Sequence, residues 1–224
     1  MADHSPVFDK GTGTRSVNIY RVLAGDTLYS IAWRHDKDYR ALARYNQIEA
    51  PYLLQPGQTI QLSGRFVVGH NQNNKPASAP TAQKRKTSSK KTKPPRQPGS
   101  SALTDKWQWP ARGKVTRAFG KYNAGVDIEV VLGSSVLAAG SGEVVYAGQG
   151  LRGFQHLIII KHSDEILSAY GLNQEIIVRE GQKIKVGSKL ADIKYTGVAL
   201  DNLHFEIRKD GTPVNPGKFI KGQA

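Results

Sequence analysis

The chain has 224 residues, 38% of them hydrophobic, with 32 Lys and Arg against 18 Asp and Glu for a net charge of +14, and no cysteine. That length holds one large or two small domains, and the lack of cysteine excludes disulfides, thiolate metal sites, cysteine nucleophiles and a lipid-bearing cysteine in the sequence as it stands. The charge favours acidic partners such as nucleic acid, anionic lipid or an anionic cell-wall polymer, while no apolar run approaches the ~18 residues of a membrane-spanning helix. Residues 1–18 are expected to be flexible. They lack the apolar core of a signal peptide, so either the protein is cytosolic or a start methionine stands in place of a leader.

Residues 19–63 read as a compact unit. Tyr20 to Val22 form a short strand, Gly25 turns the chain, and Asp26 is placed to cap a helix. Leu28, Ile31 and Ala32 fall at helical spacing, as do Ala41, Leu42 and Tyr45. Pro56-Gly57 marks a turn, and "QTIQL" alternates as a strand. The order strand, helix, helix, strand, with Gly25, Asp26, Thr27, Leu28, Ile31, Ala32, Asn46, Pro56, Gly57, Gln58 and Ile60 at its punctuation, resembles the LysM module. The resemblance implies binding to N-acetylglucosamine-containing glycans, chiefly peptidoglycan. The groove would be formed by Gly25, Asp26, Thr27 and Leu28 with Leu53, Leu54, Pro56, Gly57 and Gln58. Asp26, Thr27 and Asn46 are expected to cap helices and turns more than to touch sugar.

Residues 64–105 are rich in Pro, Ser, Thr, Lys and Gln and nearly free of large apolar side chains. Such a stretch buries too little surface to offset its ordering entropy, and reads as a disordered linker. A flexible coil of about 35 residues spans 30–35 Å, so the linker is expected to let the flanking domains work on separate objects. "KRKTSSKKTK" within it has the composition of a nucleic-acid or targeting patch. It reads better as a solvated tether with weak affinity for polyanions and no specific nucleic-acid partner.

Residues 106–221 are a succession of short strands separated by Gly and Asp-Gly turns, including the hairpin signal Asp210-Gly211. The fold class is therefore mainly β, an antiparallel barrel or sandwich preceded by a small βααβ module. In "ALDNLHFEIR", Leu203, Phe205 and Ile207 alternate with His204 and Glu206, and Asn202 lies on the histidine's face.

This second domain resembles the LytM or lysostaphin type of peptidoglycan metallopeptidase. The resemblance rests on "AGVDIE", "VLAAGSGEVVYAG", "LRGFQHLIIIKHS", "SAYGLN", "VREGQKIKVGSKLADI" and "LHFEIR". Active members of that family are zinc hydrolases with the motifs His-x-x-x-Asp, Tyr-x-His and His-x-His. The resemblance places Asn123 where the first zinc histidine belongs, and keeps Asp127 and His204 as the other two ligands. Leu172 and Asn202 stand in the positions of the two proton-handling histidines. An amide is a poor zinc ligand beside neutral imidazole, leucine exchanges no proton, and asparagine is no base near pH 7. No catalytic residue, metal or cofactor is therefore expected, against the alternative of an active zinc endopeptidase. Asp127 and His204 are also free to hydrogen-bond each other and hold two strands in register. His162 is expected to bond locally, and His156 to lie in a loop. "GQKIKVGSKL" has a distant likeness to biotinyl and lipoyl carriers, but lacks a modifiable lysine in a local signature.

A LysM module followed by a degenerate LytM domain is the pattern of the NlpD/EnvC-type amidase activators, and "LRGFQHLIIIKHS" and "WQWPARGKV" fit the NlpD-like branch. The resemblance implies activation of N-acetylmuramoyl-L-alanine amidases in the Gram-negative periplasm during cell separation. The native form would be associated with the outer membrane through a lipid anchor absent from this chain. The partners implied are peptidoglycan and an amidase, whose regulatory helix the old substrate groove would displace. Asn123, Asp127, Tyr170, Leu172, Asn202 and His204 are expected to make the groove floor, with Arg152 and Phe154 at its rim. A purely structural, peptidoglycan-binding role for both domains is the alternative.

Overall fold

The computed structural model describes residues 18–63, 107–150, 154–194 and 201–222; the expected linker, 64–105, lies outside them. In the N-terminal part, strand β1 (Ile19–Arg21) pairs antiparallel with β2 (Thr59–Gln61), Tyr20 facing Ile60. Helices α1 (Leu28–Arg34) and α2 (Tyr39–Tyr45) lie between them in sequence, the expected βααβ order. Thr27, not Asp26, caps α1. Its hydroxyl accepts from Ser30 N while Ser30 Oγ accepts from Thr27 N, a reciprocal pair that satisfies two backbone donors at the helix start. Asp26 instead fastens the preceding loop, accepting from Tyr20 Oη at 2.6 Å and Leu23 N at 2.9 Å and pairing with Arg34. Asn46 ends α2 and ties it to β2: its amide accepts from Gln61 N and donates to the carbonyls of Leu42 and Gln61.

Among the described residues the C-terminal part has ten strands: β3 (Gly113–Arg117), β4 (Val126–Val130), β5 (Ser135–Leu137), β6 (Gly142–Gln149), β7 (His156–Lys161), β8 (Ile166–Leu172), β9 (Lys183–Ile184), β10 (Lys189–Asp192), β11 (Asp201–Lys209) and β12 (Thr212–Val214). His156 thus opens a strand and is not in a loop. The main sheet is antiparallel in the order β3-β4-β11-β8-β7-β6-β9, with β12 on β11, and β5 pairs with β10 separately. Asp210 and Gly211 have φ of 50° and 74°, the left-handed pair a two-residue hairpin needs. Ile128, Ile158, Ile160, Tyr170, Leu203 and Phe205 point from one face of the main sheet into a core closed by Val136, Ala138, Leu190 and Ile193.

The other face of the sheet is covered as well. Tyr146, Leu157, Ile159, Leu167 and Ala169 share a buried cluster with Leu28, Ile31, Trp33, Tyr39 and Leu42 of the N-terminal module, and both parts belong to one compact unit. The expectation of two separated domains is therefore replaced by a packed pair. The physical reason was present in "LIII" of β7 and in β8, whose side chains are buried at every position from Ile166 to Leu172. Strands apolar on both faces need a layer on each side.

Candidate functional site: the sheet face around Asp127 and His204

The β11 register sets His204 opposite Asp127 of β4 on one side and Gly171 of β8 on the other. Directly opposed residues share a face, so these three positions come together where the metallopeptidase resemblance expected two zinc ligands. His204 Nδ1 and Asp127 Oδ1 are 2.6 Å apart. Arg117 Nε lies 3.6 Å from the other carboxylate oxygen, on a side chain 68% exposed, so solvent screens that pair. Phe154 stacks beside the imidazole, ring centroids 5.7 Å apart, and over Gly171. A Cβ on Gly171 would come within 2.9 Å of Phe154 Cδ2, so the glycine makes room for the ring. Asn123 is buried; its Nδ2 donates to the Arg117 carbonyl at 3.3 Å, and its backbone bridges to Gly120. Asn202 is exposed opposite Glu129, two residues along the strand from His204. Arg152 lies outside the described residues.

Tyr170 and Leu172 are not surface residues of the groove. Alternation turns them, with Leu203 and Phe205, to the opposite face of the sheet and into the core. The Tyr170 hydroxyl accepts from Ala139 N at 2.9 Å and from the Ser168 hydroxyl at 3.1 Å. Desolvation pushes its pKa up to about 12. These two side chains support the groove strand from beneath.

Sequence reasoning put Glu206 on the face of His204, but missed Arg208 and the burial of both. The same alternation that carries His204 places Glu206 and Arg208 on its face, and both are buried, at 4% and 2% exposure. Glu206 Oε2 is 3.6 Å from His204 Nε2, and Oε1 accepts from Arg208 Nε at 2.6 Å. Arg208 then reaches the N-terminal module: its guanidinium lies 4.0 Å over the Trp33 ring, and donates to the Trp33 carbonyl at 3.3 Å and to Asp36 at 2.8 Å. For His204, burial favours the neutral ring, but hydrogen bonds to Glu206 and Asp127 and their negative charge outweigh it, holding its pKa above the ordinary value. His162 bonds locally, as expected, to the Ser141 carbonyl at 2.8 Å and the Ser168 hydroxyl at 2.7 Å.

In the N-terminal module, Gly25, Leu53, Pro56 and Gly57 are exposed on their two loops, Leu53 to 80%. Leu28 is fully buried, because it is the first apolar position of α1 and faces the core; its side chain is not offered to a ligand. Leu54 packs against the same core. Gln58 Oε1 accepts from Gln55 N, closing the turn.

Residues 20–63 match the LysM domain and residues 121–216 match Peptidase family M23, so the chain joins a LysM module to a peptidase-family domain. It is 42% identical over 235 residues to a Pseudomonas aeruginosa protein, Lipoprotein NlpD/LppB homolog, covering 90% of this chain and 76% of that one. It is 36% identical over 261 residues to Murein hydrolase activator NlpD of Escherichia coli, covering 93% and 69%. The chain belongs to the NlpD family. Among solved structures, the antimicrobial peptidase lysostaphin from Staphylococcus simulans is 25% identical with a TM-score of 0.43, over 54% of this chain and 55% of that one.

Peptidase family M23 implies a zinc ion, and the residues here do not fit one. Catalytic zinc takes three protein ligands and leaves a position open. His204 Nδ1 and Asp127 Oδ1 lie 2.6 Å apart and engage each other, and Asn123, which the metallopeptidase resemblance puts in the third ligand's place, turns its amide to the Arg117 carbonyl. Among the described residues, no three His, Cys, Asp or Glu side chains group as metal ligands.

Proposed function

We propose that this protein is a non-catalytic activator of N-acetylmuramoyl-L-alanine amidases, holding peptidoglycan through its LysM module and the amidase through the degenerate peptidase groove. The observation that carries the reading is the Asp127–His204 pair. It lies at the positions that the metallopeptidase resemblance gives to two zinc ligands, and its hydrogen bond engages the atoms that would hold a metal. A cleft without metal-bound water can hold a partner's segment without cutting it. Kinship with Murein hydrolase activator NlpD supports a murein hydrolase as the partner.

The residues we assign to the groove walls are Asn123, Asp127, Asn202, His204 and Phe154. Gly25, Leu53, Pro56 and Gly57 are the exposed candidates for glycan contact. Activation needs only that the groove bind the displaced form of an amidase's regulatory helix better than the docked form. Relatives named as lipoproteins, among them Outer membrane antigenic lipoprotein B of Haemophilus influenzae, support a periplasmic location at the outer membrane. Calorimetric titration of a cell-wall amidase against the protein tests the reading. Phe154→Ala, checked for unchanged melting temperature, should weaken binding at least tenfold. Equal affinity of the variant would remove the groove from the mechanism.

A further inference from the structure

The LysM module and the groove-bearing sheet share an interior in this structure, and four observations fix how. Tyr146, Leu157, Ile159, Leu167 and Ala169 form a continuous apolar face that water would meet if the module left. Arg208, 2% exposed, is enclosed by the Trp33 ring, the Asp36 carboxylate and Glu206. At the seam, Arg40 pairs with both Asp38 and Asp210, and Tyr39 Oη donates to the Asp164 carbonyl at 3.1 Å. The β11–β12 hairpin abuts the start of α2 so closely that a Cβ on Gly211 would stand 2.5 Å from Asp38 N. Contact of backbone with backbone belongs to a packed interior, not to two modules brushing on a tether.

The exposed LysM loops at Gly25, Leu53, Pro56 and Gly57 keep their exposure with the module packed in this way. We infer that the LysM module and the groove work as one rigid body: glycan bound on the open loops fixes where the groove stands relative to the glycan strand, and the linker does not set that distance. The unbroken line Asp36, Arg208, Glu206, His204, Asp127 is its spine, running from the module to the groove wall. An amidase seated in the groove would then be held at a constant offset from the strand the LysM loops grip. The packing stands by itself, while the glycan-holding loops and the seated amidase rest on the proposed function.

Two experiments test it. A protease site introduced between residues 75 and 95 of the full chain and then cut should leave both halves co-eluting at the intact size and unfolding in one thermal transition. Separate elution, or two transitions, overturns the inference. The chain has no cysteine of its own, so Arg40→Cys with Asp210→Cys, closed by a short bis-maleimide, staples the seam selectively. The stapled protein should match the open double variant within twofold, both in binding purified sacculi and in stimulating an amidase. A tenfold loss of either on stapling means that the domains must part to work, and refutes the rigid body. If neither form stimulates any amidase, the proposed function fails by itself, while co-elution and sacculus binding still decide this inference.

Discussion

Replacing Arg208 with Met tests the buried polar line most sharply. Methionine keeps the apolar stem but removes the guanidinium, and with it the bonds to Glu206, Asp36 and the Trp33 carbonyl and the cation–π contact. Glu206, whose side chain is 5% exposed, keeps the His204 ring 3.6 Å away as its remaining ionic neighbour. Removing one member of a buried pair costs about 3–5 kcal/mol because the other charge is stranded, a large share of the ~5–15 kcal/mol that holds a domain together. With a urea m value of about 2 kcal/mol per M, the midpoint should fall by about 2 M, read by tryptophan fluorescence at pH 7. Arg208→Met with Glu206→Gln should recover a good part of the loss, since the amide carries no stranded charge. A single-variant cost below about 1 kcal/mol, or a double-variant cost equal to the sum of the singles, would refute the reasoning.

Three further outcomes are expected. Because the folded pKa of His204 is raised, its contribution to stability is complete below its unfolded value of about 6.5 and is lost as pH rises through the folded value. Melting temperatures measured from pH 5.5 to 9 should fall in that window, and less so in His204→Gln; an equal fall in the variant would contradict the assignment. The purified protein should hold zinc well below one equivalent by elemental analysis, and EDTA should leave its melting temperature unchanged; a stoichiometric zinc that EDTA strips with loss of stability would overturn the fit argument. Gly171→Ala should displace Phe154 from its place over β8 and lower stability by about 1–3 kcal/mol, and a crystal structure with Phe154 unmoved would refute the steric argument.

Much of the fold was legible because local chemistry agreed with the final structure. Helical spacing from Leu28 to Ala32, the Pro56-Gly57 turn and the Asp210-Gly211 hairpin each act over a few residues, and all appear as read. The Asp127–His204 contact was legible through family spacing. Tyr170 and Leu172 were misread because motif spacing says which residues are close along the chain, whereas the β11–β8 register decides which face they occupy. The packing of the LysM module on the sheet was missed although "LIII" and β8 are apolar on both faces. Linker composition spoke for separation, and no local rule says that a domain brings its own second layer. Arg208 was not singled out, because its partners Trp33 and Asp36 lie far away in sequence.

The central claim is that a cleft of peptidase shape now switches on another enzyme. Release of dye from covalently labelled sacculi measures this directly, with the amidase alone, this protein alone, and the two together. The protein alone should release nothing above buffer, and the mixture should exceed the amidase alone at least tenfold, a stimulation that Phe154→Ala should largely abolish. Dye released by the protein alone, or a mixture no faster than the amidase from the same cell, would contradict the account.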